Sequence, residues 1–215
     1  MTAVTIPRDR SGRMILPGKT EHETVWDFAD LSALPAGITL VTGTAPVASR
    51  SSGRGEVKLT TGATIGDTAS ITLPAVHLNF CETVAITVES VRTAPADTPE
   101  ILTLAMTGAT NVGAFTKKEA TSTDMYVKYA NAGSAVNLNY APFNAARTES
   151  ITLTFLIVCA KKMVYLLEGD QVVGAAEFTS MLTNNTVTPT ITIGTNTAAV
   201  KKAGIAKIRL TTRVN

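Results

Sequence analysis

Charge is scarce in this sequence. Asp, Glu, Lys and Arg together make up 17% of its 215 residues, and they balance to only +2 at neutral pH. Proteins that grip nucleic acid concentrate basic residues on one face, often interleaved with aromatics. Here the closest approach is three pairs, Lys117-Lys118, Lys161-Lys162 and Lys201-Lys202, which suit solvated strand ends and loops, so no nucleic-acid partner is expected. Cysteine is scarcer still. Cys81 and Cys159 are too few for a disulfide framework or a zinc pattern, and both lie in apolar runs where buried free thiols are expected. The two histidines, His22 and His77, cannot supply a spaced metal-ligand set, and GATIGD at 62–67 lacks the Lys and following helix of a phosphate loop. No cofactor is therefore expected. The one metal arrangement left open is an oxygen-ligand calcium site drawing on Asp97, Asp124 and loop carbonyls. No window approaches the roughly 20 uncharged apolar residues of a membrane span. The stretch MTAVTIPRDRSGRM has no continuous apolar h-region, so it does not read as a secretory signal, and a soluble chain made in a cytoplasm is expected.

What the sequence has in excess is threonine, about one residue in six, with many Val and Ile. These β-branched side chains are stiff at χ1 and favour a pleated sheet over a helix. Fifteen Gly and nine Pro supply turns between short strands. Residues 1–23 stand apart as an extended arm, in which Pro7, Gly12, Pro17 and Gly18 are mixed with Arg8, Arg10 and Arg13 and no periodicity appears. Met14, Ile15 and Leu16 form an apolar triplet on that arm and want a partner surface, in the same domain or a neighbouring subunit. Residues 24–215 read as one domain of roughly 12 to 14 short strands, with turn signals every 8 to 12 residues and no amphipathic helix. The clearest are TVAITVESVRT (83–93), with Val84, Ile86, Val88 and Val91 assigned to one face, and the alternating SITLTF (150–155). The latter thickens into an apolar run, the pattern of a strand buried on both faces. Only TSMLTNN (179–185) hints at a helical turn. Parallel sheets need helical crossovers, so the fold class is an all-β antiparallel sandwich.

The order of these segments carries a resemblance. Trp26-Asp27-Phe28 comes early, the hairpin VYLLEGDQVV (164–173) late, and IAKIRLT (205–211) closes the domain. Over residues 25–213 this resembles the concanavalin A-like, laminin-G-like jelly roll. Domains of that shape occur in bacteriophage tail and capsid-decoration proteins and in lectin-like carbohydrate-binding modules. The resemblance implies a non-enzymatic virion protein, made in the host cytoplasm. It would assemble as a homo-oligomer, or on a capsid or tail protein, through the arm residues Arg8, Arg10, Arg13, Met14, Ile15 and Leu16. A carbohydrate-binding module is the alternative.

Chemistry is hard to place on this sequence. Glu168 and Asp170 flank Gly169 at the tip of a hairpin, where a turn puts acidic residues in any case. A retaining glycosidase needs two carboxyls about 5 Å apart in environments that separate their pKa values, which a solvated tip does not offer. The related jelly-roll glucanases carry E-x-D-x-x-E along one strand, and no such run occurs here; Glu82 and Glu89, seven apart, fall on opposite faces. His77 lies four residues before Cys81, a spacing that would place both on one face of a single strand, although a strand-edge histidine is the expected reading. Catalysis is not expected. Tyr126, Tyr129 and Tyr140, with Asn137 and Asn139, form a polar-aromatic region suited to a glycan or a partner protein, set against ordinary cross-strand packing. Trp26 and Phe28 are assigned to the core.

Overall fold

The structure, a computed structural model, describes residues 20–28, 39–42, 49–50, 55–77, 81–91, 99, 101–107, 112–116, 125–129, 136–137, 150–177 and 186–214. Its strands, in chain order, are β1 Thr20–Asp27, β2 Thr39–Thr42, β3 Ser49–Arg50, β4 Val57–Thr60, β5 Thr68–Thr72 and β6 Val76–His77. There follow β7 Cys81–Val91, β8 Ile101–Thr107, β9 Val112–Thr116, β10 Met125–Tyr129, β11 Val136–Asn137 and β12 Ile151–Val158. The last five are β13 Met163–Glu168, β14 Gln171–Glu177, β15 Thr186–Gly194, β16 Lys202–Ile205 and β17 Lys207–Val214. The 179–185 segment lies outside the described residues.

Two large antiparallel sheets make the sandwich. One has six strands in the order β1-β17-β7-β12-β13-β14. The other has eight, along the path β11-β10-β9-β8-β15-β5-β2, with β6 pairing β15 off that path. A small third sheet, β16-β4-β3, closes one side. Alternation along each strand explains why they pack. On β4 the residues Val57 and Leu59 are buried and Lys58 is not, and on β5 Ala69 and Ile71 are buried between half-exposed neighbours. The period of two sends one set of side chains to the interior. Leu153, Phe155 and Ile157 of β12, Leu102 and Leu104 of β8, Ile191 and Ile193 of β15, and Leu59 and Ile205 from the small sheet all join one core. Trp26 and Phe28 belong to that core, at 6% and 2% exposure.

The first strand among the described residues begins inside the segment assigned to the arm. Thr20 to Glu23 pair with Val214 to Thr211 of β17. Thr, Glu and His here carry no apolar alternation, and the main-chain ladder to β17 is what orders them. Irregular register also matters in β7. Between Val88 and Val91 the pairing with β12 shifts, which sets Val91 opposite Ile151 in spite of the odd spacing from Val88.

Candidate functional site

The eight-stranded sheet has an outer face, reached by the residues that alternate with its core. Ser70 and Thr72 of β5, Thr103 of β8, and Thr190 and Thr192 of β15 lie there, half-buried, between Ile71, Leu102, Leu104, Ile191 and Ile193 of the interior. The register aligns them across the sheet. Val41 stands opposite Ser70, Ser70 opposite Thr192, and Thr192 opposite Thr103. Thr103 then pairs Phe115, Phe115 pairs Tyr126, and Tyr126 pairs Asn137. Within this row the Ser70 and Thr192 hydroxyls are hydrogen-bonded at 2.7 Å, and in the next row the Thr190 hydroxyl donates to the Ala105 carbonyl at 3.4 Å. Neighbouring strands are about 4.8 Å apart, so Ser70, Thr192 and Thr103 form a ladder of hydroxyls that both donate and accept, and the register runs on from them to Phe115 and Tyr126. The row contains no carboxylate, imidazole or thiol. Such a surface can hold a polyol by hydrogen bonds.

Of the tyrosines picked out from sequence, Tyr126 lies in this row. Tyr129, three positions along β10, pairs with Val112 and lies outside this row. Tyr140, the arm residues Arg8, Arg10, Arg13, Met14, Ile15 and Leu16, and the calcium candidates Asp97 and Asp124 lie outside the described residues. Ser70, Thr72, Thr103, Thr190 and Thr192 were not singled out by sequence reasoning. Their signal was present as Thr and Ser alternating with Ile and Leu, and it was absorbed into strand propensity.

Solved structures of other proteins share this sandwich. The carbohydrate recognition domain of Emp47p superposes with a TM-score of 0.62 at 8% identity, over 87% of this chain and 94% of that one. The CBM2 module of the evolved Dit from Lactobacillus casei BL23 phage J-1 gives 0.57 at 14% identity, over 91% of this chain and 97% of that one. The fold is a concanavalin A-like jelly roll. A sialidase matches with a TM-score of 0.58 at 10% identity, over 87% of this chain but only 18% of that one. No protein-family model matches the sequence, and no curated protein does. At these identities the likeness is one of fold.

Elsewhere on the jelly roll the titratable groups are placed as follows. Glu168 and Gln171 are paired across a two-residue hairpin loop, in which Gly169 has φ 57° and Asp170 is exposed. A positive φ at the first loop position only is the type II′ pattern, which calls for Gly there. The hairpin tip is a turn, as expected. His77 and Cys81 do not lie on one strand. His77 ends β6 against β15, with Nε2 2.8 Å from the Thr186 hydroxyl, whereas Cys81 begins β7 in the other sheet. β6 and β7 pair in different sheets, so the alternation the spacing implied does not hold. The Cys159 side chain is half-buried and packs against the core. Glu89 is held by Arg209, which also bonds Glu23 at 3.3 Å. Burial opposes the charge on Arg209, but Glu89 and Glu23 favour it more, and the guanidinium pKa lies above its ordinary value. This ion-pair group sits on the six-stranded sheet, away from the hydroxyl row.

Proposed function

We propose that the protein is a non-enzymatic carbohydrate-binding module that takes a glycan on the outer face of the eight-stranded sheet. The observation that carries this is the aligned row Ser70, Thr192, Thr103, Phe115 and Tyr126. Hydroxyls that both donate and accept match a sugar's own hydroxyls, and aromatic rings stack on the apolar face of a pyranose. The row contains no carboxylate, and most glycosidases use a pair of carboxyls, which supports binding over turnover. The likeness to the carbohydrate recognition domain of Emp47p and to a phage carbohydrate-binding module supports the same reading. The test is a glycan screen followed by titration of the best ligand into wild type and two variants. Thr192→Val removes one hydroxyl with little change in shape and weakens binding by about 1 kcal/mol, roughly five-fold. Tyr126→Ala weakens it further. Binding that neither variant alters would place the glycan elsewhere, and a screen with no ligand would count against the module.

A second reading is favoured by the phage Dit likeness: that the module is carried on a virion, as a decoration or tail component. On this reading the sheet face meets a glycan of the host surface, and the assembly contacts come from elsewhere on the chain. Sedimentation velocity of the full chain tests self-association directly. A defined oligomer supports the assembly role, and a monomer at all concentrations removes the homo-oligomer from it.

A further inference from the structure

The outer face of the eight-stranded sheet repeats. On β5, β15 and β8 its hydroxyls stand in two rows. Ser70, Thr192 and Thr103 make one, and Thr72 and Thr190 begin the other, which runs on to Ala105 and Gly113. All five hydroxyl residues are half-buried. Sites that enclose a small ligand bury most of it, whereas a shallow face gathers its affinity from many like contacts. The first row continues in register to Phe115 of β9 and Tyr126 of β10, so from Ser70 it crosses five strands and spans roughly 19 Å. Its step matters as much as its length. The interval between strands, about 4.8 Å, is close to the advance per ring of an extended 1,4-linked β-pyranose chain. Along a strand the step is different. The residues of β15 that alternate with its core, Thr186, Thr188, Thr190 and Thr192, recur only every two positions, about 6.7 Å.

We propose, resting on the glycan reading of this face, that it takes the interior of one extended 1,4-linked β-pyranose chain, laid across β5, β15, β8, β9 and β10 with about one ring to a strand. Hydroxyls along one edge of the chain meet Ser70, Thr192 and Thr103 in succession. The bond between Ser70 and Thr192 uses one hydroxyl proton and leaves the other, with lone pairs on both oxygens, for the sugar. Thr72 and Thr190, in the second row, are further binding residues for the same rings. Phe115 and Tyr126 hold the last two places of the first row, and aromatic residues are what the apolar face of a pyranose stacks on. Each of the first three strands offers the same kind of contact, so a longer chain fills more of the row instead of seating an end. Neighbouring strands are also turned from one another by about 20–25°. A single chain, free to rotate about its linkages, follows that turn, and the flat face of a crystalline polysaccharide does not.

The test is calorimetric titration of the full chain with cellobiose and cellohexaose, and with the matching disaccharide and hexasaccharide of β-1,4-mannan, xylan and chitin. In at least one series the hexasaccharide is expected to bind at least about tenfold tighter than the disaccharide. Thr103→Val and Ser70→Ala each weaken that hexasaccharide several-fold, whereas Thr186→Val, on β15 but in neither row, leaves it unchanged. Microcrystalline cellulose and chitin retain little of the protein. A disaccharide that binds as tightly as its hexasaccharide overturns the extended chain and leaves the glycan face standing. So does a loss on Thr186→Val equal to that on Thr103→Val, or retention on the crystalline polymers as strong as on the soluble chains. A screen whose ligands are all glycans of other linkage, yet lose affinity on Thr192→Val, has the same meaning. If no glycan binds, or none responds to Thr192→Val, the glycan reading of the face fails and the extended chain fails with it.

Discussion

At Gly169 the backbone φ is 57°, and nothing lies within 4 Å of where a Cβ would stand. Gly169→Ala thus meets no steric obstacle and costs only the left-handed backbone term, about 1–2 kcal/mol, read as a lower denaturant midpoint. Arg209 is a different kind of position, because its value lies in what it leaves behind. Its side chain and those of Glu23 and Glu89 are 17%, 15% and 22% exposed. Arg209→Ala abandons two half-buried carboxylates near one another and is expected to cost about 2 kcal/mol by denaturant titration. The guanidinium's raised pKa belongs to a base stabilised in the folded state. Its contribution is complete below the unfolded pKa and is lost only as pH climbs through the folded one, so it is constant through the neutral range. Tyr126 and Tyr129, three residues apart on β10, are paired differently: Tyr126 stands in register with Phe115 and Asn137, and Tyr129 with Val112.

Strand β12 is buried on both faces. Its pattern of burial is nearly continuous, with Leu153, Phe155 and Ile157 in the main core and Thr154 and Leu156 on the far side. Leu156→Ala is accordingly expected to cost about 2–5 kcal/mol, as much as the same change at Leu153, although Leu156 does not touch the sandwich core. Equal shifts in the denaturant midpoint for the two variants would confirm it. A change at Leu156 of a few tenths would mean that its face is wet in solution. Strands β5, β15 and β8 show the opposite arrangement. Each buries one face in the core and presents Ser and Thr on the other, which is why they can carry a binding row without loss of packing.

For the whole molecule, the decisive fact is that residues of all three sheets enter one core. The first and last described strands are tied into it as well, since β1 pairs β17 along their full lengths. Unfolding is therefore expected as one cooperative transition. Trp26 is the single tryptophan and is buried, so its fluorescence reports the core, while far-ultraviolet circular dichroism reports the sheets. The two probes should give coincident midpoints in denaturant, and separated midpoints would mean that the sheets come apart independently.

The sequence by itself determined the all-β class, nearly every strand, the hairpin turn at Glu168-Gly169-Asp170 and the burial of Trp26, Phe28 and both faces of β12. These are local properties: period-two alternation, β-branched composition and the φ a glycine turn requires. Tertiary structure decided which strands became neighbours. It sent β6 and β7 to different sheets, so that His77 and Cys81 parted. It set Thr103, Thr192 and Ser70, drawn from three distant segments, into one row with Tyr126, and left Tyr129 out of it. Alternation tells which residues share a face of one strand, but the order and register of strands follow from long-range pairing, and only that pairing turns scattered threonines into a surface.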